Sequence, residues 1–304
     1  MTNKPLLICV IGPTAIGKTN LAIEIAKHFS TEIISADSRQ FYKEMAIGTA
    51  VPSMEELAEV KHHFIQNRSI FEEYSVGDFE RDAISLLDSL FESQDIAVLV
   101  GGSGLYVDAV VKGLDKFPEV PINVIEELKV EFELNGIEKL QKELLKKDPD
   151  YYYKVDLKNH HRIIRALGVC RSQKTPYSSF LNADKEPRKF NTIYIGLTAD
   201  REIIYNRINM RVDIMMKEGL ENEVRELLQY KNLNALQTVG YRELFSYFEG
   251  NYSKEIAIEE IKKNTRRFAK RQGTWFRKNE AINWFDFKTN PSEIINYINN
   301  AQSK

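Results

Sequence analysis

Cysteine is nearly absent: Cys9 and Cys170 are the only two in 304 residues. Far apart in sequence, they support neither a disulfide framework nor a zinc knuckle. Histidine is also scarce. Apart from His28, the five histidines form two adjacent pairs, His62-His63 and His160-His161. Adjacent residues point to different sides of a strand or helix, so neither pair readily chelates a metal by itself. No apolar run is long enough to cross a membrane as a helix. The first apolar run is short and passes straight into a glycine-bearing loop, unlike a secretory signal. Internal repeats and low-complexity tracts are missing too. A cytoplasmic location without membrane partners is expected.

What is present is ordinary in bulk. Hydrophobic residues make up 43% and charged residues 28% of the chain, and the net charge is −2. That composition suits a globular protein, and the length allows one large domain or two moderate ones. The charges are unevenly placed. Between Ile261 and Lys278 there are eight basic residues and no acidic one, whereas Glu55 to Asp95 is acidic. The small net charge hides a basic stripe and an acidic lobe.

The chain is organised around Gly12-Pro13-Thr14-Ala15-Ile16-Gly17-Lys18-Thr19. An apolar run, Leu6 to Ile11, precedes it and reads as a buried strand; Asn20 to Phe29 reads as a helix. Strand, G-x-x-x-x-G-K-T, helix is the context of a phosphate-binding loop. Gly12 and Gly17 permit backbone conformations closed to other residues. Successive N–H groups can then face an anion, backed by the helix N-terminus. Lys18 supplies a charge for the outer phosphates, and Thr19 a hydroxyl for Mg²⁺. The loop implies a bound di- or triphosphate, not what is done with it.

Strand and helix patterns alternate from there. Glu32 to Asp37 is an apolar run ending in a carboxylate, a short strand is expected near His63-Phe64-Ile65, and residues 77–93 form an amphipathic helix. Asp95 to Val100 reads as a strand ending in Gly101-Gly102-Ser103. This rhythm predicts a parallel α/β sheet flanked by helices, with ligands at the carboxyl ends of its strands. Near residue 115 the character changes: residues 122–147 are charged and helix-prone, residues 158–173 read as a helix, and a polar loop spans Asn182 to Lys189. Thr192 to Leu197 then looks like a returning core strand. A mostly helical insertion over residues 115–188 is expected within a phosphate-loop core of residues 1–114 and 189–304. Residues 200–218, 220–231 and 256–278 are predicted helices, and residues 286–304 look peripheral.

A nucleotide hydrolase of this class ends a second strand in an acid that holds Mg²⁺. Here that strand ends at Val100 without one. Asp37 is the available carboxylate. It reads equally as a general base or metal partner and as a turn or helix-capping residue. The basic stripe would by default be a solvated face. Its lack of acid, with Phe268, Trp275 and Phe276 interleaved, favours a nucleic-acid surface. The heptad-like spacing of Phe268 and Trp275 places those two in the core.

Several stretches together resemble the tRNA dimethylallyltransferases (tRNA isopentenyltransferases) of the compact bacterial type. They are the phosphate loop, Ser35-Ala36-Asp37-Ser38-Arg39-Gln40-Phe41-Tyr42, Ile47-Gly48-Thr49-Ala50, Val100 to Tyr106, Val239-Gly240-Tyr241-Arg242, and Ala269-Lys270-Arg271-Gln272-Gly273-Thr274-Trp275-Phe276-Arg277. The resemblance implies transfer of a dimethylallyl group from its diphosphate to the exocyclic amine of the adenosine immediately 3′ of the anticodon, in tRNAs reading codons that begin with U. It makes Asp37 the catalytic base and puts the Ser103 hydroxyl near the reacting centre. Gly12, Pro13, Thr14, Ala15, Ile16, Gly17, Lys18, Thr19 and Arg211 would bind the diphosphate, with Mg²⁺ on Thr19. Asp37, Ser38, Arg39 and Gln40 would surround an extruded base. His161, Arg162, Ile163, Ile164 and Arg165 match a tRNA-contacting helix, and Gly240, Tyr241, Arg242, Lys270, Arg271, Thr274, Trp275 and Arg277 would also meet the tRNA. The insertion would close over the anticodon arm. Ile125 stands where some members have arginine. A monomer is expected. The competing readings are a nucleotide or small-molecule kinase, an adenylate isopentenyltransferase and a non-catalytic RNA-binding module. The Asp-Ser-Arg-Gln segment and the acid-free basic stripe speak against the kinase.

Overall fold

The structure is a computed structural model and describes residues 4–181 and 185–302. Residues 182–184 of the expected polar loop therefore lie outside the described residues. The chain divides into two compact units, Met1–Lys112 with Arg188–Lys304, and Gly113–Pro187.

The first unit opens with β1 (Leu6–Ile11), whose six residues are all buried, as a continuous apolar run requires between two layers of helices. The phosphate loop leads into α1 (Lys18–His28). Then come β2 (Ile33–Ser35), α2 (Met54–Glu59), β3 (His62–His63) and α3 (Val76–Leu90). A reciprocal capping box between Ser75 and Asp78 starts α3, which buries Phe79, Ala83, Leu87 and Leu90 at helical spacing. β4 (Ile96–Gly101) and α4 (Gly104–Lys112) complete the first half.

The second unit holds α5 (Ile122–Asn135), α6 (Ile137–Lys147), α7 (Pro149–Tyr152) and α8 (His160–Gln173). Gly136, at φ 72°, ends α5 and splits what the sequence presented as one helix-prone stretch. Leu128, Leu140, Leu144, Ile163, Ala166 and Leu167 form its core. Gly168 of α8 admits Ile125, since a Cβ there would lie 2.8 Å from the Ile125 side chain. Arg171 is tied to Glu131 and Glu143 and is thus a structural cation.

The chain returns to the first unit through β5 (Asn191–Thr198), α9 (Arg201–Glu218) and α10 (Leu220–Glu226). It then runs through α11 (Tyr241–Phe248), α12 (Lys254–Phe276), β6 (Ile282–Asp286) and α13 (Pro291–Gln302). The segment after α10 is a short 3₁₀ turn, so the predicted helix over 220–231 stops early.

The six strands are parallel, in the order β3-β2-β4-β1-β5-β6. The pairing is in step: Val10 faces Val100, and Val100 faces Ser35. The loops that follow β1, β2 and β4 therefore emerge side by side at one edge. Two corrections concern the C-terminal part. Residues 286–302, the described part of the stretch 286–304 expected at the periphery, are not peripheral. β6 closes the sheet edge beside β5, and Ile294, Ile295 and Ile298 of α13 are buried in the core layer shared with α1. Nor are Phe268 and Trp275 core residues. They are 38% and 41% exposed, and the aromatic that is buried is Phe276.

Candidate functional site

Gly12 has φ 144°, and a Cβ there would lie 2.6 Å from the Leu197 carbonyl oxygen, so only glycine lets the loop leave β1 beside β5. Ile16 is anchored in the core, and Gly12 and Pro13 are buried. These three shape the loop rather than line its cavity. Gly17 (φ 108°) precedes α1, and no side chain caps that helix. Its first-turn N–H groups are thus directed at whatever the loop holds. Lys18 donates to the Pro13 carbonyl at 2.8 Å. Desolvation lowers its pKa to about 8, against an upward pull from nearby Asp37.

Asp37 follows β2. Its Oδ1 accepts the Arg39 N–H at 3.0 Å, so the turn-residue reading is realised. That does not exhaust the carboxylate, since among the described residues nothing donates to Oδ2. Gly101 lies so close to Ala36 that a Cβ would come within 2.6 Å of its carbonyl oxygen. The Ser103 Oγ accepts weakly from the Ser38 N–H at 3.4 Å. The ends of β2 and β4 are thus stitched together.

Two cavities meet at this edge. One, of about 820 Å³, is walled by Thr14, Ala15, Gly17, Lys18 and Thr19 of the loop and by Arg207 and Arg211 of α9. The other, of about 560 Å³, is walled by Ser38, Arg39, Ser103, Gly240, Arg242, Phe268, Arg271 and Trp275. Thr14, Asp37, Thr49, Ala50, Gly102, Arg211 and Met215 line both. Asp37 therefore stands between a cationic phosphate-type cavity and one bearing aromatic and guanidinium groups. Burial lowers the Arg211 pKa, while Asp37 opposes that shift. Arg207, one helical turn before Arg211, donates to the Ala15 carbonyl at 2.7 Å, a loop contact that sequence reasoning did not assign.

Other expected site residues take structural roles. The Arg39 guanidinium donates to the Asn234 and Ala235 carbonyls at 3.0 Å each. The Gln40 amide donates to Ala50 O at 2.8 Å and accepts from the Ser35 hydroxyl at 3.0 Å, so it holds the wall rather than reaching for a base. Tyr241 is fully buried, with its hydroxyl on Glu223 at 2.6 Å, and offers no surface to RNA. Ile163 and Ile164 are likewise buried, in the second unit. Beside them on α8, His161, Arg162 and Arg165 keep surface exposure, and Arg165 stacks over Phe117. Lys270, Arg271 and Thr274 are exposed on α12, and Arg277 is exposed at its C-terminal cap. The rest of the basic stripe is partly spent: Lys262 pairs with Asp213 and Glu259, Lys263 with Glu260, and Arg266 donates to Asn209. Among the described residues no carboxylate pairs with Lys270, Arg271, Arg277 or Lys278.

Glu223 of α10 went unnoticed in the sequence. Its carboxylate accepts the N–H groups of Ala46, Ile47 and Gly48 at 3.0, 2.7 and 2.9 Å, besides the Tyr241 hydroxyl. A Cβ on Gly48 would lie 2.5 Å from the Tyr241 ring, so glycine lets this loop sit on the aromatic face. The loop continues into Thr49 and Ala50, the wall common to both cavities. Glu223→Ala leaves four donors without their acceptor and is expected to destabilise the protein by about 2–4 kcal/mol. Denaturant melts check this; a loss below about 0.5 kcal/mol would mean that water replaces the carboxylate.

Among the described residues no group of three or more His, Cys, Asp or Glu side chains could hold a metal ion unaided, and no helix is long and apolar enough to cross a membrane.

Residues 40–279 match the family model described as IPP transferase. The chain is 59% identical over 298 residues to the tRNA dimethylallyltransferase of Flavobacterium johnsoniae, covering 96% of each chain. It is 45% identical over 294 residues to tRNA dimethylallyltransferase 1 of Bacteroides thetaiotaomicron, covering 97% of this chain and 95% of that one. Among solved structures it resembles the full-length tRNA isopentenylpyrophosphate transferase of Bacillus halodurans, with TM-score 0.74, 35% identity, and coverage of 99% and 97% of the two chains. It also resembles a eukaryotic dimethylallyltransferase described as acting on tRNA, with TM-score 0.84, 25% identity, and coverage of 97% of this chain and 79% of that one.

Proposed function

The chain belongs to the IPP transferase family of tRNA-modifying prenyltransferases, and from that premise we propose that its two joined cavities are the donor and acceptor halves of one prenyl-transfer site. The donor is dimethylallyl diphosphate. The acceptor is the exocyclic amine of the adenosine immediately 3′ of the anticodon, in tRNAs reading codons that begin with U. The observation carrying this reading is the position of Asp37, which lines both cavities.

The diphosphate lies in the phosphate-loop cavity against Lys18, Thr19 and Arg211. The adenine enters from the side of Phe268, Arg271 and Trp275, whose aromatic and guanidinium faces suit an unstacked base. The amine is a weak nucleophile because its lone pair is delocalised into the ring. As it attacks C1 of the donor, the C1–oxygen bond breaks and the bonding pair leaves with diphosphate. The amine proton passes to Asp37. Lys18 and Arg211 meet the charge growing on the leaving group in a partly desolvated site, where fixed donors are most effective. The Ser103 hydroxyl borders the same junction. Lys270, Arg271 and Arg277 meet RNA phosphates outside the cavity. The protein acts as a monomer.

Mg²⁺ suits the residues present. Thr19 lines the donor cavity, and such ions are commonly held by one or two protein oxygens, substrate phosphate and water. When bound it would neutralise part of the diphosphate charge.

The test is transfer of labelled dimethylallyl diphosphate, with Mg²⁺, to unmodified tRNA and in parallel to free AMP. Label in tRNA at the position 3′ of the anticodon is the expected result. Label in AMP alone would move the protein to free-nucleotide chemistry, and transfer to neither would overturn the proposal.

A further inference from the structure

Gln272 is 93% withdrawn from solvent, with a relative exposure of 7%, and it sits at the meeting point of three elements. Its Oε1 accepts the Thr14 N–H at 2.9 Å, and its Nε2 donates to the Gly102 carbonyl at 3.0 Å. The amide orientation is fixed by chemistry: a backbone N–H can only donate and a carbonyl can only accept. Gly102 is cut to fit, since a Cβ there would lie 2.3 Å from Nε2. One turn on, Trp275 covers Gly104, where a Cβ would lie 2.2 Å from the indole, and donates to Asp108 at 2.8 Å. Thr14 and Gly102 both belong to the wall shared by the two cavities, and Ser103 follows Gly102 directly.

We propose that Gln272 is a positioning residue for the transfer step: its amide sets the gap between the phosphate loop and the Gly102-Ser103 turn, and so the reach from the donor's C1 to the amine beside Asp37. The proposal rests on the prenyl-transfer reading. Glutamine fits because it offers one donor and one acceptor on a rigid plane. Methionine offers neither, and an ionised glutamate offers two acceptors, one of which faces the Gly102 carbonyl. A protonated glutamate restores the pattern. The charged groups lining the cavity that Gln272 borders are Asp37 and Arg39 after β2, Arg211 on α9, Arg242 on α11 and Arg271 on α12; Lys18 interacts with Asp37 and Arg211, and Asp108 of α4 is reached through Trp275.

The experiment compares full-length wild type, Gln272→Met and Gln272→Glu in single-turnover and steady-state transfer to tRNA between pH 5.5 and 8.5, with folding checked by thermal melts. A small misplacement of reacting groups lowers rates by up to about 10²-fold. Gln272→Met is expected to lose roughly 10–100-fold in kcat, with the KM for tRNA within about threefold of wild type, at every pH. Gln272→Glu is expected to match that loss at high pH and recover toward wild type as pH falls. Taking the ratio to wild type cancels the pH dependence that the three proteins share. A ratio for Gln272→Glu that stays flat with pH, or a loss carried by the tRNA KM, overturns the proposal. The glutamate variant supplies its own control, because lowering and restoring pH in one folded sample separates positioning from misfolding. If wild type itself transfers nothing to tRNA, the functional reading fails instead.

Discussion

Asp37→Asn is expected to lower the rate of prenyl transfer to tRNA by about 10²–10⁴-fold, the range that a positioned general base contributes. This substitution tests the base with little disturbance of the turn. The wild-type Oδ1 accepts the Arg39 N–H, and an asparagine Oδ1 can do the same. What changes is the second oxygen, which becomes an NH₂ group that donates and cannot take a proton. Thermal stability should therefore stay close to wild type while single-turnover transfer collapses. Donor affinity should change little, or tighten slightly, because a negative charge beside the diphosphate is removed. An asparagine variant that transfers at more than a tenth of the wild-type rate would remove Asp37 from the base role and leave it a turn residue.

Lys18→Met is expected to be nearly as severe, with a loss of about 10²–10³-fold in kcat/KM for the donor, comparable to removing one preorganised donor from a charge-stabilising site. The lysine also predicts a pH dependence. Its pKa before the donor binds is lowered to about 8 by desolvation. Below that pH the ammonium is present and ready for the diphosphate. Above it the free protein holds a neutral amine, and binding the anion must first take up a proton. The donor Kd should thus rise by up to about tenfold per pH unit above 8, until the raised pKa of the bound state is reached. Titration calorimetry in buffers of different ionisation enthalpy would show proton uptake on binding at pH 9 and little at pH 6.5. In Lys18→Met the uptake should vanish. A donor affinity level from pH 7 to 9.5 in wild type would mean that the loop binds through its N–H groups and Arg211 alone.

Much of the site was legible because it lies where strands end. Three short stretches, the glycine loop, Asp37 and Gly101-Gly102-Ser103, each follow an apolar run, and a parallel sheet brings such ends together. The residues that escaped are those whose role depends on a distant partner. Gln272 reaches Thr14 across 258 positions and Gly102 across 170, so no local pattern separates it from a surface glutamine. Glu223 looks like any charge on an amphipathic helix until the loop over Ala46–Gly48 is folded against it. Heptad-like spacing misled for Phe268 and Trp275, because α12 presents one face to a cavity as well as one to the core. Periodicity reports a face that avoids water and cannot say whether protein or ligand covers it. β6 and α13 were missed because Asn283-Trp284-Phe285-Asp286 alternates weakly at a sheet edge, where one side of each residue meets solvent.

The lateness of α12 in the chain bears on when this protein can begin to work. β1 is made early, yet it pairs with β4 and β5 about 90 and 185 residues later. The clamp on its loop waits for Gln272, some 260 residues after Ile11. At about 5–20 residues per second, a ribosome needs roughly 13–50 s to cover that distance. Throughout that interval the nascent chain carries a phosphate loop without the amide that spaces it, without the aromatic wall of the second cavity and without the exposed cations of α12. A chain still being translated therefore has no complete place for tRNA, even while tRNAs pass through the ribosome that is making it.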